Sequence, residues 1–102
     1  MDSKMLLAKI LQRFRDKKIS QVEGYTSFGY IRETEKAVHV KREGGKDTPV
    51  PFGKIIDGIE AYQANLQLYN SGPKELRNFE ITHVTSPVWS LLHLLKIEEY
   101  RR

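Results

Sequence analysis

The apolar positions near the start of the chain recur every three or four residues, which is the period of an amphipathic helix. The apolar stripe consists of Leu6, Leu7, Ile10, Leu11 and Phe14. Lys9, Arg13 and Lys17 follow one another at four-residue steps on the opposite side of the same helix. Ser3 precedes the stripe and is a residue type favoured at the helix N-cap. The pattern predicts a helix over residues 3–18 with a basic outer face.

The pattern becomes strand-like after Gly24. Residues 25–32 are rich in aromatic and β-branched side chains, and residues 37–42 alternate apolar and polar side chains as a half-buried strand does. Residues 33–36 are polar and connect the two segments as a hairpin. Residues 48–52 predict a third strand at an edge of the sheet, because Pro49 and Pro51 cannot donate hydrogen bonds to a neighbouring strand. We therefore expect a small antiparallel sheet of two or three strands.

Helical spacing returns at Gly53 and continues until residues 70–73 end it. The apolar positions of this second helix are Ile55, Ile59, Tyr62, Leu66 and Tyr69. Pro73 can open a short helix through about Phe79, and the pair Ser86 and Pro87 repeats the same start signal. The last helix carries its stripe at Val88, Leu91, Leu92 and Leu95. The order of elements predicts one α+β domain over residues 1–102, with the three C-terminal helices packed on the sheet.

Composition adds a division of charge to this picture. The chain has 102 residues, no cysteine and a net charge of +4. Its length fits one domain, and the lack of cysteine excludes a disulfide framework, a thiolate zinc site and a cysteine nucleophile. Residues 1–51 hold 11 basic and seven acidic residues, whereas residues 52–102 are neutral. The sequence therefore consists of a basic helix and hairpin followed by a charge-neutral helical half.

No sequence motif favours catalysis. The nucleophile elbow G-x-S-x-G, the phosphate-binding loop with its Lys-Ser/Thr pair, and the dinucleotide fingerprint do not occur in the chain. The three histidines lie on three different predicted elements without the spacing of metal ligands, so we expect no metal and no cofactor. His83 has two interpretations: it positions an anion at the start of the last helix, or it hydrogen-bonds a loop carbonyl. We expect a protein without enzymatic activity.

No membrane partner is expected either. Lys9 interrupts the apolar run of residues 5–8 before the core of a signal peptide forms. The apolar stretch of residues 88–95 is interrupted by Ser90 and His93, and it is far shorter than the roughly 20 residues that cross a bilayer. The sequence therefore predicts a cytoplasmic location.

The basic residues of the N-terminal half lie beside aromatic residues, which is a combination typical of nucleic-acid binding. Lysine and arginine neutralise phosphates, aromatic rings stack on bases, and a two-stranded ribbon fits the major groove of DNA. The residues predicted to contact nucleic acid, with DNA favoured, are Lys9, Arg13, Tyr30, Arg32, His39, Lys41, Arg42 and Lys46. The alternative is ordinary surface charge, with Lys and Arg protecting strand edges.

Alternation assigns these hairpin residues to faces. If residues 25–32 form a regular strand, Tyr30 and Arg32 share one face and Tyr25 lies on the other. In the next strand His39 and Lys41 share one face. At least one of the two tyrosines is then expected in the core.

The last helix supplies a second functional hypothesis. Besides its stripe it carries Trp89, Leu94 and Ile97, which is more apolar surface than one buried face requires. A protein partner or a second copy of the chain could contact this surface, with Trp89 and Leu94 as the contact residues. The structural alternative is a central helix that the rest of the chain covers on several sides.

Overall fold

The N-terminal helix, α1, spans Ser3–Lys17 in a computed structural model that describes residues 2–102. Its N-cap is Asp2 and not the predicted Ser3, because the Asp2 carboxylate accepts a hydrogen bond from the backbone N–H of Met5 at 2.8 Å. A negative charge also suits the positive end of the helix dipole. Lys18 ends the helix in the left-handed region, with φ 66°, and its N–H donates to the Phe14 carbonyl oxygen.

The sheet has four antiparallel strands in the order β1–β2–β3–β4, which is more than the two or three predicted. They are β1 (Ile19–Ser20), β2 (Phe28–Glu33), β3 (Ala37–Lys41) and β4 (Asp47–Pro51). β1 has two residues, too few for an alternating pattern to be recognised. The hairpin of β2 and β3 and the edge position of β4 with its two prolines are confirmed.

The strand predicted from residue 25 begins later, at Phe28. Tyr25 lies in the loop between β1 and β2, so the expectation that it alternates with Tyr30 along one strand is wrong. Its ring packs on the indole of Trp89, with ring centroids 4.6 Å apart, and its backbone N–H closes a turn onto the Val22 carbonyl oxygen. These contacts with the helical half hold Tyr25 away from the sheet.

Two α-helices and three 3₁₀ helices follow the sheet. The α-helices are α2 (Phe52–Ala64) and α3 (Thr85–Leu92), and the 3₁₀ helices span Leu66–Asn70, Pro73–Phe79 and Ile97–Tyr100. α2 was predicted to continue to residue 70 but ends at Ala64, because Asn65 leaves the helical conformation and its side chain caps the next turn at the Gln67 N–H. α3 stops before Leu95, which lies in the segment after the helix.

The helices cover one face of the sheet and leave the other open. The covered face contributes Val38, Val40 and Val50, all fully buried, to a core shared with the helices. Gly58 lets α2 approach α3 closely, because a Cβ at that position would lie 2.8 Å from a methyl group of Leu92. The result is one compact α+β domain. Within residues 2–102 no helix combines the length and the apolar character that crossing a membrane requires.

Candidate nucleic-acid interface

The open face of the sheet carries the charged side chains of the hairpin. Alternation and register assign to this face one row of residues from all four strands and a second row from β2 to β4. The first row is Ile19, Gly29, Lys41 and Asp47, and the second is Arg32, His39 and Pro49. Most of these residues are exposed, whereas their sequence neighbours Val40, Thr48 and Val50 are buried on the other face. We call this surface the open sheet face.

An irregularity in β2 separates two residues that alternation had placed together. Tyr30 pairs with Val40 and Arg32 pairs with His39, so the register shifts by one residue between them. Ile31 is the extra residue of this β-bulge, and a bulge reverses the facing of every residue that follows it. Tyr30 therefore lies on the covered face and Arg32 on the open sheet face. The predicted common face for His39 and Lys41 is confirmed.

Tyr30 is engaged within the fold rather than displayed to solvent. Its ring contacts Phe14 edge to face at 5.3 Å between centroids, and the Lys18 ammonium lies 5.2 Å from the ring centre. The hydroxyl donates to Glu33 Oε2 at 2.8 Å. Burial, followed by this hydrogen bond to a carboxylate, raises the pKa of Tyr30 above its usual value. The ring thus fastens β2 to α1.

Arg32 and His39 share one counter-charge on the open sheet face. Arg32 Nη1 lies 3.0 Å from Asp47 Oδ2, and His39 Nδ1 lies 2.7 Å from Asp47 Oδ1. The hydrogen bond from His39, and then that from Arg32, lowers the pKa of Asp47. Because one carboxylate is ionised between two cationic or hydrogen-bonding side chains, this trio contributes no net negative charge to the face.

Lys41 is the basic residue of the open sheet face whose charge is not compensated by an ion pair in the described structure. It is exposed, and within the described part of the chain no carboxylate lies in ion-pair distance of it. Its cross-strand neighbours are Asp47 on β4 and Gly29 on β2, where a Cβ would lie 3.6 Å from the Lys41 Cβ. Because Gly29 has no side chain, the surface beside the aliphatic part of Lys41 is not covered by a side chain at that position.

Lys9 and Arg13, on the basic side of α1, share one carboxylate from the opposite end of the chain. Glu99 accepts hydrogen bonds from Lys9 (2.9 Å) and from both terminal nitrogens of Arg13 (2.7 and 2.8 Å). Arg13 also donates to the Leu94 carbonyl oxygen at 2.9 Å. The hydrogen bonds from Arg13, with those from the Lys96 backbone and Lys9, lower the pKa of Glu99 to about 2. We call Lys9, Arg13 and Glu99 the Glu99 cluster.

The predicted interface is therefore divided in space. Arg32, His39 and Lys41 come together on the open sheet face, whereas Lys9 and Arg13 lie in the Glu99 cluster between α1 and the C-terminal segment. Arg42 and Lys46 lie at the end of the β3–β4 hairpin, along the edge of β4. The sequence does not reveal the pairing with Glu99, because its partners are separated from it by 86 and 90 residues.

The two residues predicted to meet a protein partner differ in their surroundings. Trp89 is 5% exposed, and its indole N–H donates to the Ser71 carbonyl oxygen at 3.0 Å. Leu91 and Leu92 are fully buried, so α3 is covered on several sides by the chain itself. Leu94 is half-buried and lines a shallow depression with Arg13 and Lys17. The burial of Trp89 favours the central-helix alternative.

The histidines occupy three separate environments. His93 lies at the end of α3, with one ring nitrogen 2.8 Å from the Trp89 carbonyl oxygen and the other 2.9 Å from that of Tyr69. His83 is exposed in the segment before α3, and its carbonyl oxygen accepts a hydrogen bond from Arg42. Across residues 2–102 no three potential metal ligands of the His, Cys, Asp or Glu type lie close enough to hold one ion.

Comparisons of the chain with protein-family models, with curated proteins and with solved structures found no match.

Proposed function

We propose that the chain is a small non-enzymatic module that binds nucleic acid on the open sheet face. The observation that carries the proposal is the uncovered face itself. Its two rows contain Arg32, His39 and Lys41, and Asp47 is the one acidic residue in these rows. Lysine and arginine side chains contact phosphates and release their counterions.

Apolar side chains beside the cations complete the surface. Ile19 and Ile31 are 49% and 36% exposed, an unusual degree for isoleucine in a domain that buries most of its aliphatic residues. The faces of unstacked bases and the sugars provide apolar partners for such side chains, as they do for the aromatic rings of other single-strand-binding surfaces. Tyr30 takes no part in this contact, because its ring is held by Phe14 and Lys18.

The test is fluorescence anisotropy of labelled 20-nucleotide DNA and RNA, both single-stranded and duplex, at about 50 mM and about 200 mM salt. We expect affinity to fall steeply with salt, and Lys41→Glu to weaken binding about tenfold because it replaces a phosphate contact with repulsion. Lys74→Glu is the matched control, since Lys74 is an exposed lysine in the 3₁₀ helix Pro73–Phe79. Absence of binding at 50 mM salt, or an equal loss in both variants, would contradict the proposal.

A further inference from the structure

A groove of about 410 Å³ runs along the edge of β4, between the end of the β3–β4 hairpin and the segment that leads into α3. Its basic lining comes from two parts of the chain: Arg42 and Lys46 lie at the two ends of the β3–β4 turn, and His83 precedes α3. Asp47 and Pro49, which belong to the open sheet face, form its other wall. The groove is therefore continuous with the open sheet face.

Arg42 is held in position before any ligand arrives. Its Nε donates to Thr48 Oγ1 at 3.1 Å, and its Nη2 donates to the His83 carbonyl oxygen at 3.1 Å. The guanidinium has five N–H donors in a fixed plane, so these two bonds orient the group and leave three donors for other partners. A fixed guanidinium loses little conformational entropy when it binds an anion.

The charge of the groove is positive despite the presence of Asp47. Both oxygens of that carboxylate are engaged on the open sheet face, one by Arg32 and one by His39. Arg42 and Lys46 have no carboxylate within ion-pair distance among residues 2–102. His83 is exposed and lines the groove from the segment before α3, and an imidazole ring supplies an N–H donor.

The start of α3 forms part of the same wall. Val84 is the N-cap of α3 and lines the groove, no side chain caps this end, and the first turn holds no acidic residue. The positive end of the helix dipole therefore lies beside the groove. The backbone of His83 is in the left-handed region, with φ 63°, which is uncommon for a residue other than glycine.

We propose that this groove is a phosphate-binding site, with Arg42, Lys46 and His83 as the binding residues. A phosphate group offers several acceptor oxygens, which suit the planar donors of Arg42, the point charge of Lys46 and the single donor of His83. The site itself deepens the proposed function and rests on it for the source of the phosphate. That source is a strand lying on the open sheet face, which offers either a terminal monoester or an internal diester.

The first experiment uses inorganic phosphate as the probe and needs no nucleic acid. Titration of the whole chain, followed by two-dimensional NMR of backbone amides and the Arg42 Nε–H group, should give saturable shifts at Arg42, His83 and Val84. Lys46→Gln should weaken phosphate binding about threefold and Arg42→Gln about tenfold, since each removes a charge-assisted hydrogen bond. Lys36→Gln, in the turn between β2 and β3, is the matched control and should leave the titration unchanged. Shifts that never saturate, or that survive both substitutions, overturn the site.

The second experiment identifies the source of the phosphate. The affinity of a single-stranded oligonucleotide is measured with and without a 5′-phosphate. If the 5′-phosphate tightens binding and Lys46→Gln abolishes this difference, the source is a terminal monoester. Equal binding of the two forms, reduced by Lys46→Gln but not by Lys36→Gln, identifies an internal diester. If neither Lys46→Gln nor Arg42→Gln changes oligonucleotide affinity, the groove does not bind a phosphate of the strand, and binding on the open sheet face is not contradicted. Phosphate binding in the groove without any oligonucleotide binding refutes the open sheet face instead.

Discussion

The Glu99 cluster and the open sheet face are both built from basic residues of the N-terminal half, but they differ in how those residues are paired. In the cluster, Lys9 and Arg13 surround a carboxylate that comes from the last residues of the chain. On the open sheet face, Lys41 has no counter-charge in the described structure, and Asp47 is divided between Arg32 and His39. The cluster uses basic charge to hold α1 to the C-terminal segment. The open sheet face leaves the ammonium group of Lys41 without an ion pair among residues 2–102.

This difference shows why a charge excess along the sequence is a weak guide to a binding surface. The excess of +4 lies entirely within residues 1–51, but a neutral second half can still contain an acid that pairs with it in space. Glu99 does so for two of the 11 basic residues of that half, and within the same half Glu33 pairs with Arg15 at 2.6 Å. The function of a basic residue therefore depends on its tertiary partner, and substitutions should separate the two groups into stabilising and ligand-binding residues.

The largest effect is expected when the Glu99 cluster loses its carboxylate. Glu99→Ala should lower the free energy of unfolding by about 2 to 3 kcal/mol. It removes four hydrogen bonds to the carboxylate, three from Lys9 and Arg13 and one from the Lys96 N–H, and a partly buried guanidinium keeps no counter-charge. Nucleic-acid affinity should remain within twofold. Urea denaturation followed by Trp89 fluorescence measures the first quantity, and anisotropy measures the second. Glu98→Ala is the matched control because Glu98 is exposed and makes no ion pair within residues 2–102. Equal destabilisation by both substitutions would contradict the role of the cluster.

Acidification should break the ion pairs of the Glu99 cluster without any substitution, because it protonates the Glu99 carboxylate. The pKa of Glu99 falls from an ordinary value of 4.5 to about 2 in the folded chain, so folding favours the ionised carboxylate. Its contribution to stability is complete above pH 4.5 and is lost as the pH falls from 4.5 towards 2, a loss on the order of 2 kcal/mol. Urea denaturation at several pH values measures this slope. The slope should become shallower in Glu99→Gln, and a slope identical to that of the unsubstituted chain would show that other carboxyl groups cause it.

Substitutions of Tyr30 test whether this residue stabilises the fold or contacts nucleic acid. Tyr30→Phe should lower stability by about 1 kcal/mol, because it removes the hydrogen bond to Glu33 but keeps the ring against Phe14. Affinity for nucleic acid should not change, even for Tyr30→Leu, which removes the aromatic ring. A loss of affinity of more than threefold in Tyr30→Leu, at unchanged stability relative to Tyr30→Phe, would restore the sequence-based prediction that this ring stacks on bases.

The parts of the fold that follow from the sequence are those with a regular period. α1 and β3 have one apolar face each, so their residues could be assigned from spacing alone, and the prolines of β4 identified an edge strand. The bulge at Ile31 has no such signal, because one extra residue in β2 is visible only against the register of β3. Because of this single residue, Tyr30 and Arg32 lie on opposite faces of the sheet. The partners of Lys9 and Arg13 were equally inaccessible, because long-range contacts between side chains leave no periodic pattern.

The smallest expected effect concerns Asp47, the acid that limits the positive charge of the open sheet face. Because its pKa is lowered by His39 and Arg32, Asp47 carries a full negative charge at neutral pH. Asp47→Asn removes that charge while an amide oxygen can still accept one of the two hydrogen bonds. Affinity for nucleic acid should rise about threefold at 50 mM salt and by less at 200 mM, since the gain is electrostatic and is screened. Asp57→Asn makes the same change of charge at an exposed position of α2, away from the sheet, and should raise affinity by less. If the two substitutions act equally, affinity depends on the net charge of the chain. If Asp47→Asn alone raises it, the ligand lies on the open sheet face.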